Sequence, residues 1–190
     1  SVLLLLDLSE SLNDIVEATN QTILELSQEA VSLLAWSVEQ LGDNFAIAGF
    51  NSNTREQVMY YHIKGYSEHW DDTVKARLAN LKAEYSTRMG AAIRHGTHYL
   101  DLQKSDKKLM LILTDGEPSD VDVKDSEMLI KDTHKAVQEC QQKGMYPYCI
   151  SLDNKADNYV SDIFGSHYSV IDKIESLPKE LPQLFLSLTK

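Results

Sequence analysis

The stretch Val2-Leu3-Leu4-Leu5-Leu6-Asp7-Leu8-Ser9-Glu10-Ser11 decides how this chain reads. Five consecutive apolar residues, too short a run for an ordinary helix, have the length and character of a buried strand. The run ends at a carboxylate, and the loop that follows carries hydroxyls at residues 9 and 11. Alternation along an extended segment sets residues i and i+2 on one side, so the oxygens of Asp7, Ser9 and Ser11 converge. Hard divalent cations take oxygen ligands, and Mg²⁺ keeps several of its waters. Two hydroxyls backed by a carboxylate therefore outline a cation site. The same short pattern also makes ordinary turns, because Asp and Ser side chains bond to nearby backbone.

Two further segments strengthen the cation reading. Lys108 to Leu113 (KLMLIL) is a second buried-strand run, and it ends in Thr114-Asp115-Gly116. Between the two runs lies Tyr85-Ser86-Thr87-Arg88-Met89-Gly90, just ahead of a helical pattern. Asp7, Ser9, Ser11, Thr87 and Asp115 are thus expected to meet at the carboxyl edge of a parallel sheet, where open α/β folds bind their ligands.

The rest of the chain alternates strands and helices. The expected strands are 2–6, 45–50, an antiparallel edge strand at 57–63, 108–114, 145–151 and 167–171. Pro147 counts against a regular central strand at 145–151, since it has no N–H to donate. The expected helices are 21–41, with Thr19 or Asn20 as cap and Gly42 as stop, then 71–83, 88–102, 126–142, about 156–164, and 178–188. Asn51 to Thr54 reads as a turn. The sum is a doubly wound, mostly parallel six-stranded α/β sheet with one antiparallel edge strand and helices on both faces. No internal repeat, low-complexity tract or linker divides residues 1–190, so one domain is expected.

Composition bounds the partners. Eighteen Lys and Arg against 29 Asp and Glu give a net charge of −11, which argues against nucleic acid or an anionic membrane as a direct partner. No apolar run approaches the ~18 residues of a membrane span. Glu117, Asp120, Asp122 and Asp125 would give the site an acidic rim, which repels an acidic partner group unless a cation is present. Cys140 and Cys149 read as buried structural thiols, with a bridge the open alternative. Two cysteines form no secreted disulfide framework, which favours the cytoplasm. Neither G-x-S-x-G, H-E-x-x-H nor a P-loop is present. An aspartyl-phosphate enzyme would place a carboxylate where Asp7 stands, but also a second acid where this chain has Ser9.

With these residues in hand, the chain resembles the von Willebrand factor A (VWA) domain and its metal-ion-dependent adhesion site. The resemblance rests on D-x-S-x-S at Asp7, Ser9 and Ser11, on Thr87, and on T-D-G at Thr114 to Gly116, in the family's order. It implies that Ser9, Ser11 and Thr87 touch the ion while Asp7 and Asp115 act through waters or hydrogen bonds. The ion is expected to be Mg²⁺, with Mn²⁺ or Ca²⁺ as substitutes. A carboxylate of the bound partner would complete the coordination, so the domain would be a binding module and not an enzyme. The stretches Ser86 to His95 and Leu113 to Val123 look like the C-terminal VWA domains of bacterial adaptors for MoxR-type AAA+ ATPases. On Glu117-Pro118-Ser119-Asp120 the likeness leans to the CbbO-type Rubisco activase adaptors, with NorD-type accessory proteins of nitric oxide reductase as the alternative. A CbbO-type role implies gripping an acidic residue of inhibited Rubisco while a hexameric ATPase, bound to the rest of a longer adaptor, releases a sugar phosphate inhibitor. A strand starting at the first residues fits such a C-terminal piece. Arg88 and Glu117 are the expected partner-binding residues beside the metal, Arg88 by a charge-assisted bond to the client carboxylate or, alternatively, as a helix-start salt bridge.

Overall fold

The computed structural model describes residues 1–54, 56–116, 118, 125–156 and 159–189. Its first strand, β1 (Val2–Asp7), is buried along its whole length. Val2, Leu4 and Leu6 pack into one core while Leu3 and Leu5 pack into another, because successive side chains leave a strand on opposite faces. An uninterrupted apolar run is what a strand covered on both faces requires.

The other main elements follow in chain order: α1 (Ile23–Leu41), β4 (Phe45–Thr54), β5 (Gln57–Lys64), α2 (Asp72–Ala79), α3 (Met89–Asp101), β6 (Leu109–Thr114), α4 (Ser126–Gln142), β7 (Tyr146–Ser151), α5 (Val160–Phe164), β8 (Tyr168–Val170) and α6 (Leu177–Thr189). A two-stranded ribbon of β2 (Ile15–Val16) and β3 (Gln21–Thr22) precedes α1. The main sheet has the order β5-β4-β1-β6-β7-β8 and is parallel except for edge strand β5. Helices α1, α2 and α6 cover one face, and α3, α4 and α5 the other. Chain order reverses direction at β1, between β4 and β6, and the crevice at such a switch point is where this architecture binds ligands.

Several expectations are corrected. Helix α1 starts two residues later than expected, and its cap is Thr22, not Thr19 or Asn20. The Thr22 hydroxyl accepts the Glu25 N–H at 3.0 Å while the Glu25 carboxylate accepts the Thr22 N–H at 3.2 Å. This reciprocal capping box satisfies two amides that the helix cannot, and residues 15–22 are free to form the ribbon. Gly42 ends α1 with φ 75°, as its lack of a Cβ permits. The turn expected at Asn51 to Thr54 is instead the continuation of β4, paired with β5 out to Thr54↔Gln57. Helix α2 runs only from Asp72 to Ala79, with Asp71 outside it as the cap whose carboxylate accepts the Val74 N–H. Helix α5 begins at Val160, later than expected.

Pro147 lies inside β7 at no cost to the ladder. The Tyr146 N–H points to β6, donating to Lys108 O, and the Cys149 N–H points the other way, to His167 O. Alternation puts the Pro147 nitrogen on the β8 side, where pairing begins only at Cys149. Cys140 and Cys149 are free and buried, which closes the disulfide alternative. Among the described residues no helix is long and apolar enough to cross a membrane.

The capping correction gives a test. Thr22→Ala is expected to cost about 1 kcal/mol, and Thr19→Ala less than about 0.5 kcal/mol, both read from urea unfolding midpoints at constant slope.

Candidate functional site

Strands β1 and β6 end in register at one edge of the sheet, with Leu6 opposite Leu113, and Asp7 lies opposite Phe50 of β4, which runs on past them to Thr54. The backbone leaving β1 is fixed at once. The Leu8 N–H donates to Phe50 O at 2.8 Å, and the Ser9 N–H donates to Asp7 Oδ1 at 2.9 Å. That second bond is a carboxylate accepting from the amide two residues on, a turn Asp forms readily. It holds the hydroxyls of Ser9 and Ser11 to within 3.2 Å of each other. Leu12 then closes a short 3₁₀ turn, Glu10–Asn13, into the core.

Thr87 arrives from a distant loop by a dense set of backbone bonds. The Glu84 N–H donates to Leu8 O at 2.8 Å, the Glu10 N–H to Tyr85 O at 3.0 Å, and Asn13 Nδ2 to Ala83 O at 2.9 Å. Ser52, on the extended end of β4, exchanges both N–H···O bonds with Ser86 at 2.8 and 2.9 Å. So the three carboxyl-edge segments are stapled together before any side chain of the site is considered. Tyr85 takes φ 65° to make the corner.

Asp7 is 2% exposed and lies at the bottom of the cluster. Thr114 Oγ1 is 2.7 Å from Asp7 Oδ2, and Thr87 Oγ1 is 3.2 and 3.3 Å from the two carboxylate oxygens. Ser9 Oγ lies 3.5 Å from Asp115 Oδ1. All five expected metal-site residues, Asp7, Ser9, Ser11, Thr87 and Asp115, are therefore brought together. Thr114 is the residue that sequence reasoning left without a role. Its place between two conspicuous features, a buried strand and Asp115, was the available signal. The structure also places Arg88 next to Thr87 as the N-terminal boundary residue of α3, only 9% exposed. Glu117, expected to meet the partner, and Asp120 and Asp122 of the acidic rim lie outside the described residues. Asp125 is an exposed helix cap, its carboxylate accepting the Glu127 N–H.

The electrostatics are those of a site that wants positive charge. Burial, and next the charge of Asp115, push the Asp7 carboxyl up, against the opposing pull of its bonds from Thr114 and Ser9. Burial also pushes Asp115 up, against the Ser11 and Ser9 hydroxyls. A divalent cation would relieve both penalties. The donor set is two carboxylates and three hydroxyls, all hard oxygens, which fits Mg²⁺ chemistry. Among the described residues no cluster of three or more His, Cys, Asp and Glu is poised for a softer metal.

An open α/β domain with an oxygen-lined crevice at its switch point is the class of protein these features define. The von Willebrand factor type A domain model matches residues 1–181, and the chain belongs to that family. A protein named NorD from Brucella melitensis is 35% identical over 189 residues, covering 99% of this chain and 30% of its own length. NorD of Stutzerimonas stutzeri is 35% identical over 170 residues, covering 89% and 28%. An uncharacterized protein of Pseudomonas aeruginosa is 34% identical, covering 99% and 31%. The chain thus spans about a third of the length of these curated relatives. Among solved structures, the PilB minor pilin of Streptococcus sanguinis aligns with TM-score 0.77 at 14% identity, covering 98% of this chain and 61% of that one. A von Willebrand factor type A structure from Catenulispora acidiphila aligns with TM-score 0.64 at 16% identity, covering 96% and 41%. At such identities these two speak for the fold alone. The named relatives favour the NorD alternative over the Rubisco adaptor that sequence texture put first.

The raised Asp7 carboxyl has a consequence for stability without metal. A carboxyl that holds its proton more tightly in the folded state stabilises the fold only while it is protonated, so that contribution is lost as pH rises through the folded-state pKa. In EDTA, the melting temperature of the wild-type domain is expected to fall as pH rises from about 4.5 toward 7, above the ordinary carboxylate range. Asp7→Asn is expected to flatten this dependence, as read by differential scanning calorimetry; an equally steep fall in the variant would exclude Asp7 as its source.

Proposed function

We propose that this domain is a divalent-cation-dependent protein-binding module of a NorD-like adaptor, its metal-ion-dependent adhesion site formed by Asp7, Ser9, Ser11, Thr87 and Asp115. The observation that supports it most is the convergence of three hydroxyls on two desolvated carboxylates at the switch point of the sheet. A bound Mg²⁺ would supply an electrophilic position for an Asp or Glu of the client. The chain's own contribution is orientation. In this reading Ser9, Ser11 and Thr87 face the ion with neutral oxygens and leave its charge largely uncompensated. Asp7, fixed by Thr114 and the Ser9 amide, aligns Thr87 from behind, as outer carboxylates do in metal sites.

Binding is favoured over phosphoryl transfer by the state of Asp7. A nucleophilic carboxylate needs an approach path for phosphorus, whereas Asp7 is buried and bonded by Thr87, Thr114 and the Ser9 amide. We therefore assign any ATP hydrolysis to a hexameric MoxR-type AAA+ partner acting through other parts of a longer adaptor, in the cytoplasm. The client we favour is nitric oxide reductase, on the strength of the NorD relatives. Inhibited Rubisco, the client of the CbbO-type reading, would use the same site and is the competing arm of the test.

The test is capture by the immobilised domain, with the two clients offered separately in Mg²⁺ or in EDTA. Retention of nitric oxide reductase is expected in Mg²⁺, with a loss of at least about tenfold in EDTA and in Asp115→Ala. Arg88→Ala should lose less than Ser9→Ala. Retention of Rubisco alone would transfer the proposal to the CbbO-type client, and retention of either client independent of both metal and Asp115 would overturn the site.

A further inference from the structure

The two lateral edges of the main sheet are protected unequally. Strand β8 is three residues long, whereas β5 runs for eight, Gln57–Lys64. Which backbone groups of β5 face outward follows from the ladder. The Leu8 N–H donates to Phe50 O, and Ser52 exchanges both bonds with Ser86, so Phe50 and Ser52 turn their backbone groups away from β5. Their antiparallel partners, Tyr60 and Val58, therefore turn theirs outward, and alternation adds His62, opposite Ala48. Among the described residues no hydrogen bond reaches the N–H or C=O groups of Val58, Tyr60 or His62. The free stretch ends at a bulge, where Ile63 has no partner on β4 and its carbonyl accepts from Arg77 Nη1 at 3.2 Å.

Sheet edges are ordinarily blunted by shortness, Lys, Pro or a bulge, because a row of unpaired backbone groups is a template for another strand. Residues 57–62, Gln-Val-Met-Tyr-Tyr-His, contain no Pro and no Lys, Arg, Asp or Glu, and valine and tyrosine suit strands. The edge is also held in place by its own side chains. Tyr60 and Tyr99 lie 6.2 Å apart and nearly parallel, the His62 ring meets each edge-on at 5.1 Å, and His95 meets Tyr60 edge-on at 4.4 Å. A strand ordered before it binds loses less freedom on pairing. A cavity of about 510 Å³ lies beside these rings, at the end of the sheet opposite Asp7, in the space that the small side chains of Ala46 and Ala48 leave. Nothing in its walls selects a ligand.

We propose that this edge pairs with the same edge of a second copy of the chain, β5 antiparallel to β5 about a two-fold axis at Tyr60. The free stretch is symmetric about that residue. Val58 of each copy then faces His62 of the other, and Tyr60 faces Tyr60. Three residues per copy, each with one donor and one acceptor, form about six backbone bonds. A two-fold contact needs such self-complementarity; a foreign strand could use the same groups but would not require it. Charge permits the pairing. Each copy carries −11, yet none of that charge lies on residues 57–62, and long-range repulsion is screened within about 8 Å at physiological salt. The register also carries the exposed Glu56 of each copy toward the end of the other strand where Arg77 stands.

The experiment is sedimentation velocity of the domain from micromolar to millimolar concentration at physiological salt, in EDTA so that the metal site takes no part. The sedimenting mass is expected to rise from 21.5 kDa toward twice that value. Val58→Pro removes an outward N–H without touching the β4 ladder, a change that edge strands accept, and should weaken dimerisation by about tenfold or more. Val58→Cys/His62→Cys, oxidised where the wild type is dimeric, should give a disulfide-linked dimer, because facing Cα atoms in such a pair lie about 5.5 Å apart. Val58→Cys alone should not cross-link, and Cys140 and Cys149 are buried and do not compete. Circular dichroism checks that each variant is folded, and the cross-linking carries the test if Val58→Pro fails to fold. A wild type that stays monomeric throughout overturns the proposal and leaves the edge to a strand of another chain. A dimer that folded Val58→Pro leaves as tight as wild type, or that the paired cysteines do not trap, overturns it by placing the contact elsewhere.

Discussion

The carboxylate of Asp7 is the interaction on which the carboxyl edge depends. It terminates a strand buried along its whole length, accepts from the Ser9 amide that turns the following loop, and meets the hydroxyls of Thr87 and Thr114 from two other segments. One desolvated carboxylate thereby joins side chains from three segments that backbone hydrogen bonds already hold together. Buried polar groups are tolerated when they are hydrogen-bonded, and the low dielectric that makes an unpaired carboxylate costly also strengthens each bond it accepts. The bonds do not cancel the penalty, because Asp115 adds a second negative charge nearby and both groups are pushed toward the neutral form. The edge is therefore well ordered in geometry and unsatisfied in charge, the combination a cation-binding site needs.

Much of this was legible in the sequence because the signals were local. Five apolar residues before Asp7 and five before Thr114 could hardly be anything but buried strands, and the i, i+2 spacing of Asp7, Ser9 and Ser11 placed their oxygens together. The antiparallel edge strand was visible in the alternation of residues 57–63. What could not be read was set by pairing across the chain. Asn51 to Thr54 has turn-forming composition, yet it continues β4 because β5 and Ser86 offer backbone partners to it. Those partners are remote in sequence, and local propensity yields to them. The ribbon of β2 and β3 was hidden for a similar reason, since two residues per strand carry no periodicity. Thr22 stands out from Thr19 and Asn20 as a cap only when paired with Glu25, three residues on, its reciprocal partner.

The site shows the same division. Residue types at positions 7, 9, 11, 87 and 115 were readable, but the role of Thr114 was not, because a threonine at the end of a buried strand is ordinary by composition and becomes informative only when its hydroxyl is seen 2.7 Å from Asp7. The cavity at the opposite end was wholly invisible. It arises from an absence of volume at Ala46 and Ala48, and small residues in a strand announce nothing until the neighbouring rings are placed around them.

The charges at the two ends of the sheet are managed differently, and this bears on how the molecule can work. At the far end the Lys64 ammonium is buried, but two carbonyl oxygens accept from it and the charges of Glu39 and Glu68 act on it. At the carboxyl edge burial and the charge of Asp115 push the Asp7 carboxyl toward the neutral form, and burial pushes Asp115 the same way. Keeping two carboxylates desolvated side by side is costly, which makes a purely architectural role for the pair a weak explanation. The strands that carry them are close-packed on both faces, and close-packed interiors transmit strain instead of absorbing it. Coupling of the edge to the rest of the fold would still require a second arrangement of some element whose balance a ligand shifts.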